Sequence, residues 1–74
     1  MRFLTMRLMT FKELRERTGL SQRQLAKSVG MDAGTVRRIE NGQTRDPRYG
    51  TISALAEVLG TTPAILANVM RQAA

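Results

Sequence analysis

Between Asp32 and Gly42 the chain reads DAGTVRRIENG, a stretch whose charged and polar residues recur at helical spacing. Gly34, Arg37, Arg38 and Asn41 stand at i, i+3, i+4 and i+7, so a helix would line them along one exposed stripe, and that stripe holds no acid. Val36 and Ile39 fall on a different, inward face. A guanidinium group donates hydrogen bonds in a planar fork that fits paired acceptors on a phosphate or on the edge of a base. The chemistry on offer is recognition rather than bond making. The chain has no His and no Cys, which removes the commonest metal ligand, the thiolates and the usual general base near neutral pH. No paired acids converge, and the glycines do not form a phosphate loop. No catalytic residue, metal site or cofactor is expected.

The charge balance points the same way. Twelve Lys and Arg against six Asp and Glu give a net charge of +6 and a pI near 11.4, which suits a polyanionic partner. The bland alternative is a solubilising basic surface. Eleven of the twelve cations lie between residues 2 and 48, while from Tyr49 to Met70 the only charge is Glu57. Binding to a membrane surface would call for one long basic amphipathic helix, and the repeated helix stops forbid it. No apolar run approaches the roughly 18 residues of a membrane span. The opening MRFLTMRLM lacks a clean hydrophobic region and a small-residue cleavage site, so it is not read as a signal peptide, and a cytoplasmic location is expected.

Positioning this face falls to short helices. At 74 residues the chain is one domain, which buries only about 60% of its unfolded surface and must be held by economical helix packing. Thr10 with Glu13 forms a capping box for a first helix over about Phe11 to Thr18, stopped by Gly19, with Phe11 and Leu14 inward. Ser21 caps a second to about Ser28, with Leu25, Ala26 and Val29 inward and Gly30 as its stop. Asp32 caps a third over about Ala33 to Glu40, ending at Asn41-Gly42. Gln43 to Gly50 reads as a cationic loop around Pro47. A fourth helix over about Thr51 to Leu59 repeats Ile52, Leu55, Ala56 and Leu59 and stops at Gly60. Thr62-Pro63 opens a fifth with an apolar stripe of Ile65, Leu66, Val69 and Met70. The reading is all-α, with a domain over 10–72. Residues 1–9 form an N-terminal extension, left open between an extension of the first helix, an edge strand and a disordered tail.

The second and third helices satisfy the demands of a helix-turn-helix, in which two helices cross steeply through a turn of three or four residues. Leu25, Val29, Val36 and Ile39 supply the contact, Ala26 is small at the close approach, Gly30 permits a left-handed turn, and Met31 tucks beneath it. Any helical bundle contains such a pair, but the acid-free arginine stripe is an addition that a bundle does not need. A major groove about 12 Å wide admits a helix of this kind.

In Leu20-Ser21-Gln22, Leu25-Ala26, Val29-Gly30, Ile39-Glu40-Asn41-Gly42, Leu55-Ala56 and Leu59-Gly60, the chain resembles the phage repressor and Cro-like regulators, often called the Xre family. The resemblance covers about Phe11 to Met70. It implies a compact five-helix bundle, a lambda-repressor-like DNA-binding domain, binding double-stranded DNA as a two-fold homodimer. It implies base reading by Ala33, Gly34, Thr35 and Arg38, with Arg37 serving base or phosphate. Phosphate contacts would come from Gln22 with its neighbours Ser21 and Arg23, and from the clamping loop of Asn41, Gln43, Arg45 and Arg48. Gln22 has a plainer alternative as support for the helix cap, and the loop cations as solvated charge. Arg15 and Glu40 match a structural ion pair. Gly34 departs from the family, where a polar base-reading side chain is usual, and it costs about 1 kcal/mol of helix stability relative to Ala. Either the backbone approaches DNA closely at this point, or readout leans on DNA shape.

The expected function is a transcriptional regulator, a repressor acting on inverted-repeat operators. Tyr49, Ile52, Ile65, Leu66 and Val69 are candidate dimer contacts, with Ile65, Leu66, Val69 and Met70 equally readable as plain core. The rival reading is an antitoxin or adaptor that mainly binds a protein partner and autoregulates through DNA.

Overall fold

The computed structural model describes residues 9–43 and 48–73. Five helices follow in order: α1 Phe11–Thr18, α2 Gln22–Ser28, α3 Ala33–Glu40, α4 Tyr49–Leu59 and α5 Pro63–Ala73. No strand occurs among the described residues. Side chains that satisfy otherwise orphaned first-turn N–H groups set where most of these helices begin. Thr10 and Glu13 cap α1 reciprocally, Ser21 and Gln24 do the same for α2, Asp32 caps α3, and Thr62 Oγ1 accepts from Ile65 N–H at 3.1 Å in α5.

α4 is the exception, and it corrects a boundary. It begins at Tyr49, two residues before the expected Thr51, with Arg48 in the cap position and no side-chain cap bond. The Ile52 N–H to Arg48 C=O bond at 3.0 Å closes its first turn. Neither a capping residue nor a helix former marks this start in the sequence, because Gly50 disfavours a helix.

The core takes Phe11 and Leu14 from α1, Leu25 and Ala26 from α2, Val36 and Ile39 from α3, Leu55, Ala56 and Leu59 from α4, and Leu66, Val69 and Met70 from α5. Met9, Leu20, Val29, Met31 and Ile52 are partly buried against it. α2 and α3 pack most intimately, through a turn in which Gly30 adopts φ 70° and Met31 N–H reaches back to Ala26 C=O at 2.9 Å. An L-residue with a Cβ would be strained at that φ, so glycine is what lets the two helices cross so closely. Arg17 ties α1 to α4 by donating from Nη2 to Leu59 C=O at 3.1 Å, a cation on the negative end of a helix. The expected forms of the N-terminal extension fall on residues 1–8, outside the described residues.

Candidate nucleic-acid interface

α3 buries Val36 and Ile39 completely and turns Arg37 and Arg38 outward, both exposed. The inward pair holds the helix and leaves the arginines clear of the core. Arg38 does not simply trail into solvent: its Nη2 donates to Thr35 Oγ1 at 3.2 Å, one helical turn back. Ala33, Gly34 and Thr35 are half-buried in the first turn of the helix. Asp32 Oδ2 accepts from Gly34 N–H at 2.8 Å. A Cβ added to Gly34 would stand 2.7 Å from that oxygen and 3.7 Å from Arg38 Nη1. Two oppositely charged side chains therefore lie close to the bare position in the helix.

The far end of α3 is held by a polar cluster. Arg15 Nε on α1 donates to Glu40 Oε2, Arg15 Nη2 donates to Glu40 Oε1 at 3.4 Å, and Arg15 Nη1 donates to Leu20 C=O at 2.8 Å. The two side chains are only 11% and 5% exposed. Gln22, the first residue of α2, joins them by donating from Nε2 to Glu40 Oε1 at 3.1 Å. A carboxylate accepts only, so the amide nitrogen must face Glu40, and the carbonyl oxygen of Gln22 is left to point elsewhere. Cap support for α2 comes from Ser21 and Gln24, not from Gln22. The shared Glu40 ties the end of α3 to α1 through Arg15 and to the start of α2 through Gln22.

Around α3 lie the other cationic and polar candidates. Ser21 and Arg23 are exposed at the head of α2, Asn41 and Gln43 are exposed just beyond α3, and Arg48 is exposed at the head of α4. Gln43 N–H is spent on Arg38 C=O at 2.8 Å, closing the end of α3. Arg45 lies outside the described residues.

The candidate dimer contacts separate into two groups. Leu66 and Val69 are fully buried, as is Met70, so the core reading replaces the surface one for them. Three of four apolar residues on the α5 stripe are consumed by packing against the other helices. Ile65 is turned away and 46% exposed, and Tyr49 is 73% exposed. Tyr49 and Ile52 of α4 and Thr62, Pro63, Ala64 and Ala67 of α5 line an open apolar groove of about 370 Å³. α4 and α5 meet at 104°, and no single helix among the described residues is long and apolar enough to cross a membrane. No cluster of His, Cys, Asp or Glu that could hold a metal occurs among the described residues.

Sequence reasoning did not foresee two contacts: the Gln22 arm on Glu40, and the closeness of Asp32 and Arg38 across Gly34. Spacing within α3 could have suggested the second, since residues 34 and 38 are one turn apart and Asp32 adjoins them. The model of a helix-turn-helix domain family matches residues 9–69. Neither a curated protein nor a solved structure matches the chain.

Proposed function

Because the chain belongs to the helix-turn-helix domain family, we propose that it is a sequence-specific regulator of transcription that lays α3 in the major groove of double-stranded DNA. The observation that carries this reading is the outward face of α3, where Arg37 and Arg38 stand exposed while Val36 and Ile39 anchor the opposite side. A helix held so firmly from behind has little backbone freedom to lose on binding. Arg38 is the principal base reader, donating two hydrogen bonds to guanine O6 and N7. Arg37 serves phosphate or base beside it.

Phosphate contacts flank α3 on both sides. On one side stand Ser21, Gln22 and Arg23 at the N-terminus of α2, with the Gln22 amide oriented by Glu40. On the other stand Asn41, Gln43 and Arg48, the last at the head of a helix without a side-chain cap, whose first N–H groups suit an anion; Arg45 is kept as a further phosphate contact on its charge alone. Contacts of this kind set register, and base contacts set preference.

The chain acts as a homodimer on inverted repeats whose half-sites lie about one helical turn apart. The groove beside Tyr49 and the exposed Ile65 supply an apolar surface in a region where Glu57 is the only charge from Tyr49 to Met70, so two copies meet there without repulsion. A repressor is the simplest mode, since occupancy of an operator is enough to block access to it.

Selection of bound duplexes from a random pool tests the reading, followed by a salt titration on the winning sequence. Wild type enriches a defined sequence, and its affinity falls about a thousandfold or more between 50 and 200 mM salt if six or more phosphates are engaged. Arg38→Ala loses about 1 to 3 kcal/mol of discrimination at one base position. A flat salt response, or an Arg38→Ala variant with unchanged preference, overturns the assignment.

A further inference from the structure

Asp32 does more at the head of α3 than cap it. In α1, α2 and α5 the cap oxygen accepts from the third residue of the helix, Glu13, Gln24 or Ile65. Asp32 accepts instead from the second, Gly34, which leans its carboxylate over the helix face to within 2.7 Å of where a Gly34 Cβ would be. Arg38 Nη1 comes within 3.7 Å of the same point, while Thr35 steadies the other guanidinium nitrogen. The exposed surface of the first turn therefore shows a guanidinium and a carboxylate side by side, separated by a residue with no side chain. Asp32 spends one oxygen, Oδ2, on the helix, and a carboxylate carries a second acceptor oxygen.

We propose that Asp32 and Arg38 together read a single G·C pair, which makes Asp32 a specificity-determining residue and Gly34 the gap that permits the arrangement. This rests on α3 being the DNA-reading helix. In the major groove a G·C pair offers two acceptors, guanine N7 and O6, and then a donor, cytosine N4–H. Two guanidinium N–H groups followed by a carboxylate oxygen are the complement of that row. An A·T pair would set thymine O4 against the carboxylate, acceptor against acceptor, so Asp32 penalises the wrong pair as well as favouring the right one. Its negative charge is eased by the positive end of the helix it caps. A Cβ at position 34 would crowd the carboxylate out of this place, which accounts for a glycine that otherwise only weakens the helix.

Duplex selection with wild type, Asp32→Ser, Arg38→Ala, the double variant and Gly34→Ala tests the proposal. Serine caps a helix as well as aspartate, so Asp32→Ser folds normally, and its preference for one G·C pair per half-site relaxes about tenfold. Arg38→Ala retains a weaker preference for that same pair, and Asp32→Ser/Arg38→Ala loses it. N4-methylcytosine at that position, which blocks the groove-facing N–H, weakens wild type and leaves Asp32→Ser unaffected. Gly34→Ala discriminates less at that pair and gains no melting temperature, because its Cβ displaces the Asp32 oxygen that caps the helix and so offsets alanine's better helix propensity. DNA binding by Asp32→Ser with wild-type preference at every position overturns the proposal while leaving the function intact. Failure of wild type to select any duplex overturns the function, and the proposal with it.

Discussion

Two helix pairs in this chain are built alike and present opposite chemistry. α2 and α3 join through Gly30 at φ 70°, and α4 and α5 through Gly60 at φ 73°. In each turn the residue after the glycine sends its N–H back at 2.9 Å, Met31 to Ala26 and Thr61 to Ala56. A side-chain cap then starts the following helix, from Asp32 in one pair and Thr62 in the other. Yet α3 turns Arg37 and Arg38 outward, whereas α5 turns out Ala64, Ile65 and Asn68. Turn geometry is thus a means of crossing two helices, and the outward residues decide what the crossing binds. The pairs also differ in how they are secured. The end of α3 is held by the Arg15–Glu40–Gln22 cluster, while α5 is held by Leu66, Val69 and Met70 in the core.

That contrast can be broken by substitution. The largest effect is expected from Glu40→Ala, which leaves the Arg15 guanidinium poorly exposed and unpaired and releases Gln22. Urea unfolding should show a loss of about 3 kcal/mol, while Asn68→Ala on the exposed side of α5 stays within about 0.5 kcal/mol. Equal losses at the two sites would mean that the polar cluster does not distinguish the pairs. Next come the two turns. Gly30→Ala meets nothing within 4 Å and Gly60→Ala only Arg17 Nη2 at 3.9 Å, so the left-handed backbone sets the cost in both, about 1 kcal/mol each. Thermal melts that separate the two variants widely would show that the turns are not equivalent. The smallest effect on stability belongs to Ile65→Lys, which should leave the melting curve nearly unchanged but shift sedimentation toward a monomer, because it replaces an exposed apolar residue of the proposed dimer surface with a charge. An unchanged sedimentation profile would place the dimer contact elsewhere.

Much of this fold was written locally. Thr10 with Glu13, Ser21, Asp32 and Thr62-Pro63 announced helix starts, and Gly19, Gly30, Gly42 and Gly60 the ends, because caps and stops act within one turn of backbone. Apolar spacing marked the inward faces of α1 to α3 for the same reason. Where no local signal exists the boundary differs: α4 starts two residues early, through Gly50 and without a side-chain cap, its first turn closed by the backbone bond from Ile52 N–H to Arg48 C=O. The apolar stripe of α5 named more residues than the core takes, and only the crossing of α4 and α5 at 104° settled that Leu66 and Val69 go inward while Ile65 stays out. The candidate site divides along the same line. The sequence by itself determined that α3 carries two arginines on an acid-free face, since i, i+3 and i+4 spacing needs no other helix. The family resemblance implied the Arg15–Glu40 pair, but only the tertiary structure decided that Gln22 joins it, because residues 18 and 25 apart in the chain share a carboxylate only once three helices are packed. The closeness of Asp32 to Arg38 turned on something finer: the choice of Gly34 N–H as the capped donor, made possible by the absence of a side chain there.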